Sequence, residues 1–177
     1  MTGSTTDDAP AIPPELLERF RSIGLRLDRD GHFWHQGERV AHPRLQQALL
    51  RWLDVRDDGR DIVRLDGDRY AYVDVDDTHL RVTAARWRDD RLDLVLDDGR
   101  EEELAYATLA LGADDGLRCR VHGGRLTARF TTAAQQVALE RVDVDAAGQH
   151  VLVAGGQRWA IQASGLGPHA SGDRQSR

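Results

Sequence analysis

The sequence has no lysine, no asparagine, and a single cysteine and methionine in 177 residues. Arginine therefore supplies all 24 basic side chains. Missing both residues of the AAN codons is the bias of GC-rich coding, so no one arginine is by itself a sign of guanidinium chemistry. Without asparagine, tight turns fall to Asp and Gly. The lone Cys119 excludes an intrachain disulfide and any multi-cysteine zinc site, and it fits a reducing compartment. No apolar run approaches the length that spans a bilayer, and no basic-then-apolar leader opens the chain, so the expected location is cytoplasmic. An excess of positive charge is also lacking. With 30 acidic residues against 24 basic and a net charge of -6, general nucleic-acid binding is excluded. No GxSxG, no P-loop and no GxGxxG leading into a helix occurs.

What is there is enough to fold: 40% of the residues are apolar, sufficient for a real core. Residues 1–12 and 163–177 are small, polar and aperiodic, and are expected to be flexible tails. Pro13, Pro14 and the stop at Gly24 predict an N-terminal helix within residues 13–24. In LRLDRDGHFWHQG, Asp30-Gly31 suits a two-residue hairpin turn that pairs Leu27 with Trp34 and buries Leu25, Leu27 and Trp34 together. Pro43 then opens a helix whose apolar stripe is Leu45, Ala48, Leu49, Trp52 and Leu53. Further on, Leu80, Val82 and Ala84, then Leu92, Leu94 and Leu96, alternate as antiparallel strands with one wet face.

LQQALLRWLDVRDDGR from Leu45 and AQQVALERVDVDAAGQ from Ala134 say nearly the same thing twice. Shifted by 89 positions, Gln46, Gln47, Leu50, Asp54, Val55 and Gly59 meet Gln135, Gln136, Leu139, Asp143, Val144 and Gly148. Upstream, the hairpin RVHGGRLTARF answers RDGHFWHQG once four residues are dropped. The predicted fold is α+β, an internal duplication of two antiparallel-sheet subdomains, each packed by one helix. The first spans residues 25–76 and the second, larger one 77–162.

Several residues could carry chemistry. His32, His35 and His42 invite a metal, but residues three apart on a strand diverge, which favours surface or packing roles. Asp74 and Asp76 share a strand face with Tyr70 and Tyr72; they could hold a cation with a histidine, as in a metal-dependent hydrolase, or simply run into a turn. The Gly123-Gly124 turn sets His122 beside Arg125, Arg120 beside Thr127 and Arg118 beside Arg129, while Leu117, Cys119, Val121, Leu126, Ala128 and Phe130 fill the other face. Such a basic face needs acidic neighbours, with Glu101, Glu102 and Glu103 the candidates, or an anionic ligand. Arg118, Arg120, Arg125 and Arg129 are the candidate charge-binding residues, and Trp34 and Tyr72 the candidate stacking surfaces. Cys119, on the apolar face, lacks the partner a nucleophile needs.

The motifs DGHFWHQG from Asp30 to Gly37, GRDIV, the step Val75, Asp76, Asp77, the step Ala128, Arg129, Phe130, and a closing G-x-x-W strand resemble a bacterial family of uncharacterised proteins, domain of unknown function 1285, over residues 25–162. The resemblance implies a duplicated fold with a pleckstrin-homology-like C-terminal half, a nucleotide-like ligand between the halves and a signalling role. Asp66, Gly67, Asp68, Arg69 and Tyr70 stand where the family pattern has Thr-Pro-x-Glu-Lys, which leaves the ligand's identity open. The expectation is a non-catalytic ligand-binding or regulatory module for a small anionic molecule held between the halves, with no cofactor and no metal. The alternative is a protein-interaction scaffold that engages a protein partner. Oligomeric state is left open.

Overall fold

Aspartate and glycine build the turns, and they build one turn repeatedly. The computed structural model describes residues 21–66 and 69–163. In the segments 28–32, 56–60, 96–100, 112–116 and 145–149, the first N–H donates to the fifth carbonyl and the fourth N–H to the first carbonyl. The fourth residue is left-handed each time: Gly31, Gly59, Gly99, Asp115 and Gly148. This is a type I turn followed by a glycine-type bulge, the three-residue hairpin loop. An aspartate carboxylate accepts from the turn's own N–H groups in each case, through Asp28, Asp58, Asp98, Asp114 and Asp145.

That turn corrects the first hairpin. β1 (Leu25–Leu27) pairs antiparallel with β2 (Phe33–His35) so that Leu27 faces Phe33 and Arg26 faces Trp34, one residue from the two-residue register. Phe33 is consequently the buried ring, and Trp34 is half-buried with its indole N–H donating to Asp28 at 2.8 Å. β3 (Glu38–Arg39) follows, then α1 (Pro43–Arg51), β4 (Leu53–Val55), β5 (Asp61–Asp66) and β6 (Arg69–Val75). On α1 the buried stripe is Leu49, Leu50 and then Leu53, while Leu45 and Trp52 are exposed. The helix is rotated from the expected face because Gln46 turns inward: its Nε2 donates to the Gly31 carbonyl at 2.6 Å and its Oε1 accepts from Phe33 N at 3.0 Å.

The second part runs β7 (Leu80–Arg88), β8 (Arg91–Leu96), β9 (Glu101–Glu103), a 3-10 turn (Tyr106–Thr108), β10 (Ala110–Leu111), β11 (Leu117–Val121), β12 (Leu126–Phe130), α2 (Thr132–Leu139), β13 (Val142–Val144), β14 (His150–Ala154), β15 (Gln157–Ala160) and β16 (Gln162–Ala163). A bulge between Val82 and Ala84 breaks the predicted alternation of β7, leaving Ala84 exposed and turning Ala85 and Trp87 toward the core. The β11–β12 ribbon keeps the expected register, with Arg118 opposite Arg129 and Arg120 opposite Thr127, and its apolar face is buried throughout.

The sheets are mixed rather than purely antiparallel. Strand orders are β3-β2-β1-β6-β5-β4, then β16-β10-β11-β12-β7-β8-β9, then β13-β14-β15. β1 pairs parallel with β6, β10 with β16, and β12 with β7. Each of the first two parallel pairs arises because the chain returns, after a helix and a hairpin, beside the strand it began with. Within the α+β fold, α1 and α2 begin 89 residues apart, as do β4 and β13, and β5 and β14. Gln135, 89 residues after Gln46, makes the matching pair of bonds: its Oε1 accepts from Leu117 N and its Nε2 donates to the Asp115 carbonyl. The clamped segment is thus the turn 112–116 between β10 and β11, equivalent in position to the turn 28–32 between β1 and β2. By chain position the ribbon β11–β12 then stands where β2–β3 stands in the first part, whereas the upstream alignment had set it against the β1–β2 hairpin. One apolar cluster, running from Leu25 and Phe33 through Leu80, Leu94 and Leu117 to Leu152, forms a shared core.

The two clamps should be equivalent in energy. Gln46→Ala orphans the Phe33 N–H and the Gly31 carbonyl, at a cost of about 1–3 kcal/mol, and Gln135→Ala should cost a similar amount. Urea unfolding of the two variants measures both losses. A change near zero for either would mean that its bonds are replaced by water.

The expected N-terminal helix lies, up to residue 20, outside the described residues, as do the tails at 1–12 and 164–177 and the turn at Gly67 and Asp68.

Candidate functional site

A cleft of about 270 Å³ opens where the C-terminal end of α1 and strands β4 and β5 meet the second part of the chain. Arg51, Trp52, Leu53, Asp54 and Arg64 line it from the first part, and Arg100, His122, Arg125 and Leu126 from the second. Four guanidiniums and an imidazole thus face one lining carboxylate. The turn 96–100 docks against α1 through Gln47 Nε2, which donates to the Asp97 carbonyl, and Arg51 Nε, which donates to the Asp98 carbonyl. These contacts bring Arg100 to the cleft wall. The left-handed turn at His122 and Gly123 brings in His122 and Arg125.

Asp54 sits at the centre of the cleft's polar bonds. Arg125 donates to its Oδ1 from Nε at 3.0 Å and from Nη2 at 2.6 Å, while Arg64 Nε donates to its Oδ2 at 3.0 Å. Oδ1 also accepts from Val55 N at 2.9 Å, and Arg125 Nη2 reaches the Val55 carbonyl at 2.9 Å. Burial pushes the Asp54 carboxyl up, but hydrogen bonds from Arg125, Arg64 and Val55 outweigh it and hold the group below the usual carboxylate range. On the opposite wall Arg100 Nη1 lies 3.4 Å from His122 Nδ1, which assigns the ring proton to Nε2. That nitrogen is 3.3 Å from Asp98 Oδ2 without hydrogen-bond alignment, and both atoms are buried with no hydrogen-bond partner. Just behind this wall, burial raises the Asp97 carboxyl above its ordinary range, only partly offset by bonds from Arg81.

The structure places the candidate residues as follows. Arg118 and Arg129 do meet, but on carboxylates: Arg118 contacts Asp77 and Asp114 at 2.9 Å each, and Arg129 contacts Asp77 at 3.0 Å and Asp114 at 2.7 Å. The Arg118 guanidinium, then that of Arg129, hold the Asp114 carboxyl far below its usual range. The acidic partners are these two aspartates, whereas Glu102, the expected neighbour, accepts from His122 N instead. Arg120 donates to the Gly124 carbonyl. Arg125 alone of the six candidates lines the cleft. Trp34 is tied to Asp28, and Tyr72 packs edge-on to Tyr70 with ring centroids 5.5 Å apart and bonds Arg56.

Of the histidines expected on the surface, His42 caps α1 through Leu45 N and His32 lies 3.6 Å from Asp28. Asp74 is exposed and Asp76 pairs with Arg26. Among the described residues no group of three or more His, Cys, Asp or Glu is placed to hold a metal ion. Burial, and secondarily Glu102, pushes the Cys119 thiol up to about 12, which removes any thiolate nucleophile at neutral pH. No helix among the described residues is long and apolar enough to cross a membrane.

Arg51, Arg64 and Arg100 escaped the sequence reading because they gather only through long-range packing. The one linear hint is that Asp54-Val55 recurs as Asp143-Val144, with the same bond from the next N–H to the carboxylate.

No family model matches the chain, and no curated protein matches it. Two solved structures do. One is a DUF1285 family protein from Silicibacter pomeroyi DSS-3, with a TM-score of 0.66 and 16% identity over 80% of this chain and 81% of that one. The other is a DUF1285 family protein from Shewanella baltica OS155, with a TM-score of 0.51 and 15% identity over 63% of this chain and 86% of that one. In fold, then, the chain is similar to DUF1285 family proteins, the likeness its motifs already carried.

Proposed function

We propose that the chain is a non-catalytic ligand-binding or regulatory module whose two halves arose by duplication and hold a small, nucleotide-like anionic molecule in the cleft between them. The observation that carries this reading is the convergence of Arg51, Arg64, Arg100 and Arg125, with His122, on a cleft that Asp54 alone lines with opposite charge. Guanidinium forks suit phosphate oxygens. At about 270 Å³ the cleft is near the lower end of the roughly 300–1,000 Å³ of ligand pockets, so it suits a small molecule. Trp52, half-exposed, supplies with Leu53 and Leu126 an apolar wall for a planar group. Matching strand orders in the two parts and the paired glutamine clamps support the duplication, with halves near 25–76 and 77–162 and the larger one likened to a pleckstrin-homology domain. Arg118 and Arg129, saturated by Asp77 and Asp114, serve the fold in this reading, and Arg125 carries the ligand role. Signalling follows if ligand occupancy alters how the halves present themselves.

Thermal-shift titration with inorganic pyrophosphate tests it. At about a hundredfold excess over Kd, linkage supplies about 2.7 kcal/mol, a midpoint rise of roughly 5–10 °C for a chain this size. The Arg64→Gln/Arg100→Gln double variant should lose that rise. No shift in the wild-type chain, or an equal shift in the double variant, sinks the cleft as the binding site.

A further inference from the structure

The Asp54 carboxylate is bound as a ligand would be. It receives two bonds from Arg125, one from Arg64 and one from Val55 N, so guanidiniums from both parts of the chain close on a single anionic group. Its side chain is 21% exposed and lines the cleft, whereas Asp58, Asp77 and Asp114, carboxylates also held by two or more arginines, lie outside it. Resting on the proposed function, we infer that Asp54 stands in the phosphoryl subsite of the cleft and is an internal competitor that the ligand's phosphoryl group displaces from Arg64 and Arg125.

Two consequences follow from charge. A monoanion such as acetate offers the two guanidiniums no more than Asp54 already does, and Asp54 is tethered, so it acts at a high effective concentration. Only a group with more charge and more acceptor oxygens, a phosphomonoester or terminal diphosphate, exchanges favourably. Asp54 is thus a specificity-determining residue that sets the ligand class as dianionic phosphoryl compounds. The same Arg125 Nη2 that bonds Asp54 also donates to the Val55 carbonyl and so ties the β11–β12 turn to β4, which places this tie in reach of any group that takes over the guanidinium. Ligand occupancy and the joint between the two parts are therefore coupled at one side chain.

Calorimetric titration of pyrophosphate and of acetate into the wild-type chain, Asp54→Asn and Asp58→Asn tests this. Asn at 54 keeps an oxygen for Val55 N but loses the charge. Asp58 carries the same charge nearby, paired with Arg56 and Arg60 and outside the cleft, so its variant measures the general electrostatic change. Asp54→Asn is expected to bind pyrophosphate at least tenfold more tightly than wild type and to gain measurable acetate binding, with Asp58→Asn within twofold of wild type. Pyrophosphate binding in the wild type that is unchanged or weakened in Asp54→Asn, or strengthened equally by Asp58→Asn, overturns the competitor role while leaving the cleft as a site. Absence of binding in all three chains removes the cleft reading and this inference together.

Discussion

Asp77→Ala is expected to lower stability by about 3 kcal/mol, at the lower end of the 3–5 kcal/mol for stripping one partner from a buried ion pair. Asp77 lies in the turn before β7 and holds Arg118 through Oδ1 and Arg129 through Oδ2. The Arg118 side chain is 9% exposed, so without Asp77 it is left to Asp114 and the Gly116 carbonyl. Asp114 would then answer Arg118, Arg129 and Arg29 alone. Packing makes the arrangement specific: a Cβ on Gly112 would lie 1.4 Å from Arg118 Nη1, so the guanidinium occupies the space a side chain would need. Asp77→Asn, which keeps acceptor capacity toward one arginine, should lose roughly half as much. Equilibrium unfolding in guanidinium chloride measures both, and a loss below about 1 kcal/mol for Asp77→Ala would show that water solvates Arg118 freely.

The contrast between the ribbon and the first hairpin shows which features were legible in the residues. The β11–β12 register could be read because the apolar alternation and the Gly123-Gly124 turn agree on it. At β1–β2 two turns compete: Asp30-Gly31 as a two-residue turn, or Asp28 to Gly31 as a type I turn with a bulge. Which wins depends on the Asp28 carboxylate collecting two N–H groups and the Trp34 indole, a tertiary preference that turn statistics do not carry. The same holds for α1, where periodicity set the helix but Gln46, polar and inward, set its rotation. The bulge in β7 has no marker in the sequence. The cleft lay further out of reach, since Asp54 and Arg125 are 71 positions apart and Arg51 and Asp98 47. Arginine is so abundant here that only three-dimensional convergence separates those that gather from those that merely solvate the surface. On the ribbon the sequence marked a basic face correctly, yet the answering carboxylates come from the turns at Asp77 and Asp114, which no strand pattern pairs with it.

His79→Ala is the second large loss expected, also about 3 kcal/mol, from two orphaned polar partners at about 1–3 kcal/mol each. His79 passed unnoticed in the sequence, between a turn and β7, but its side chain is 7% exposed and joins the two parts of the chain. Its Nε2 lies 2.9 Å from Asp61 Oδ1 on β5, and its Nδ1 lies 2.9 Å from Thr127 Oγ1 on β12. The line Thr, His, Asp invites comparison with a nucleophile relay. The backbone decides against it: Thr127 N donates to the same Nδ1 at 3.1 Å, so the lone pair that would accept a hydroxyl proton already serves an amide. That bond also fixes the tautomer, placing the ring hydrogen on Nε2, where it donates to Asp61. The triad is a pin between β5 and β12, and a side chain with an acceptor on one side and a donor on the other should replace it in part. His79→Gln is therefore expected to recover about half of the loss, while His79→Leu, apolar and of comparable bulk, should not. Amide exchange at Thr127 separates the pin from simple packing: it should accelerate strongly in His79→Leu and only slightly in His79→Gln. Equal acceleration in both would leave His79 as filler in the core.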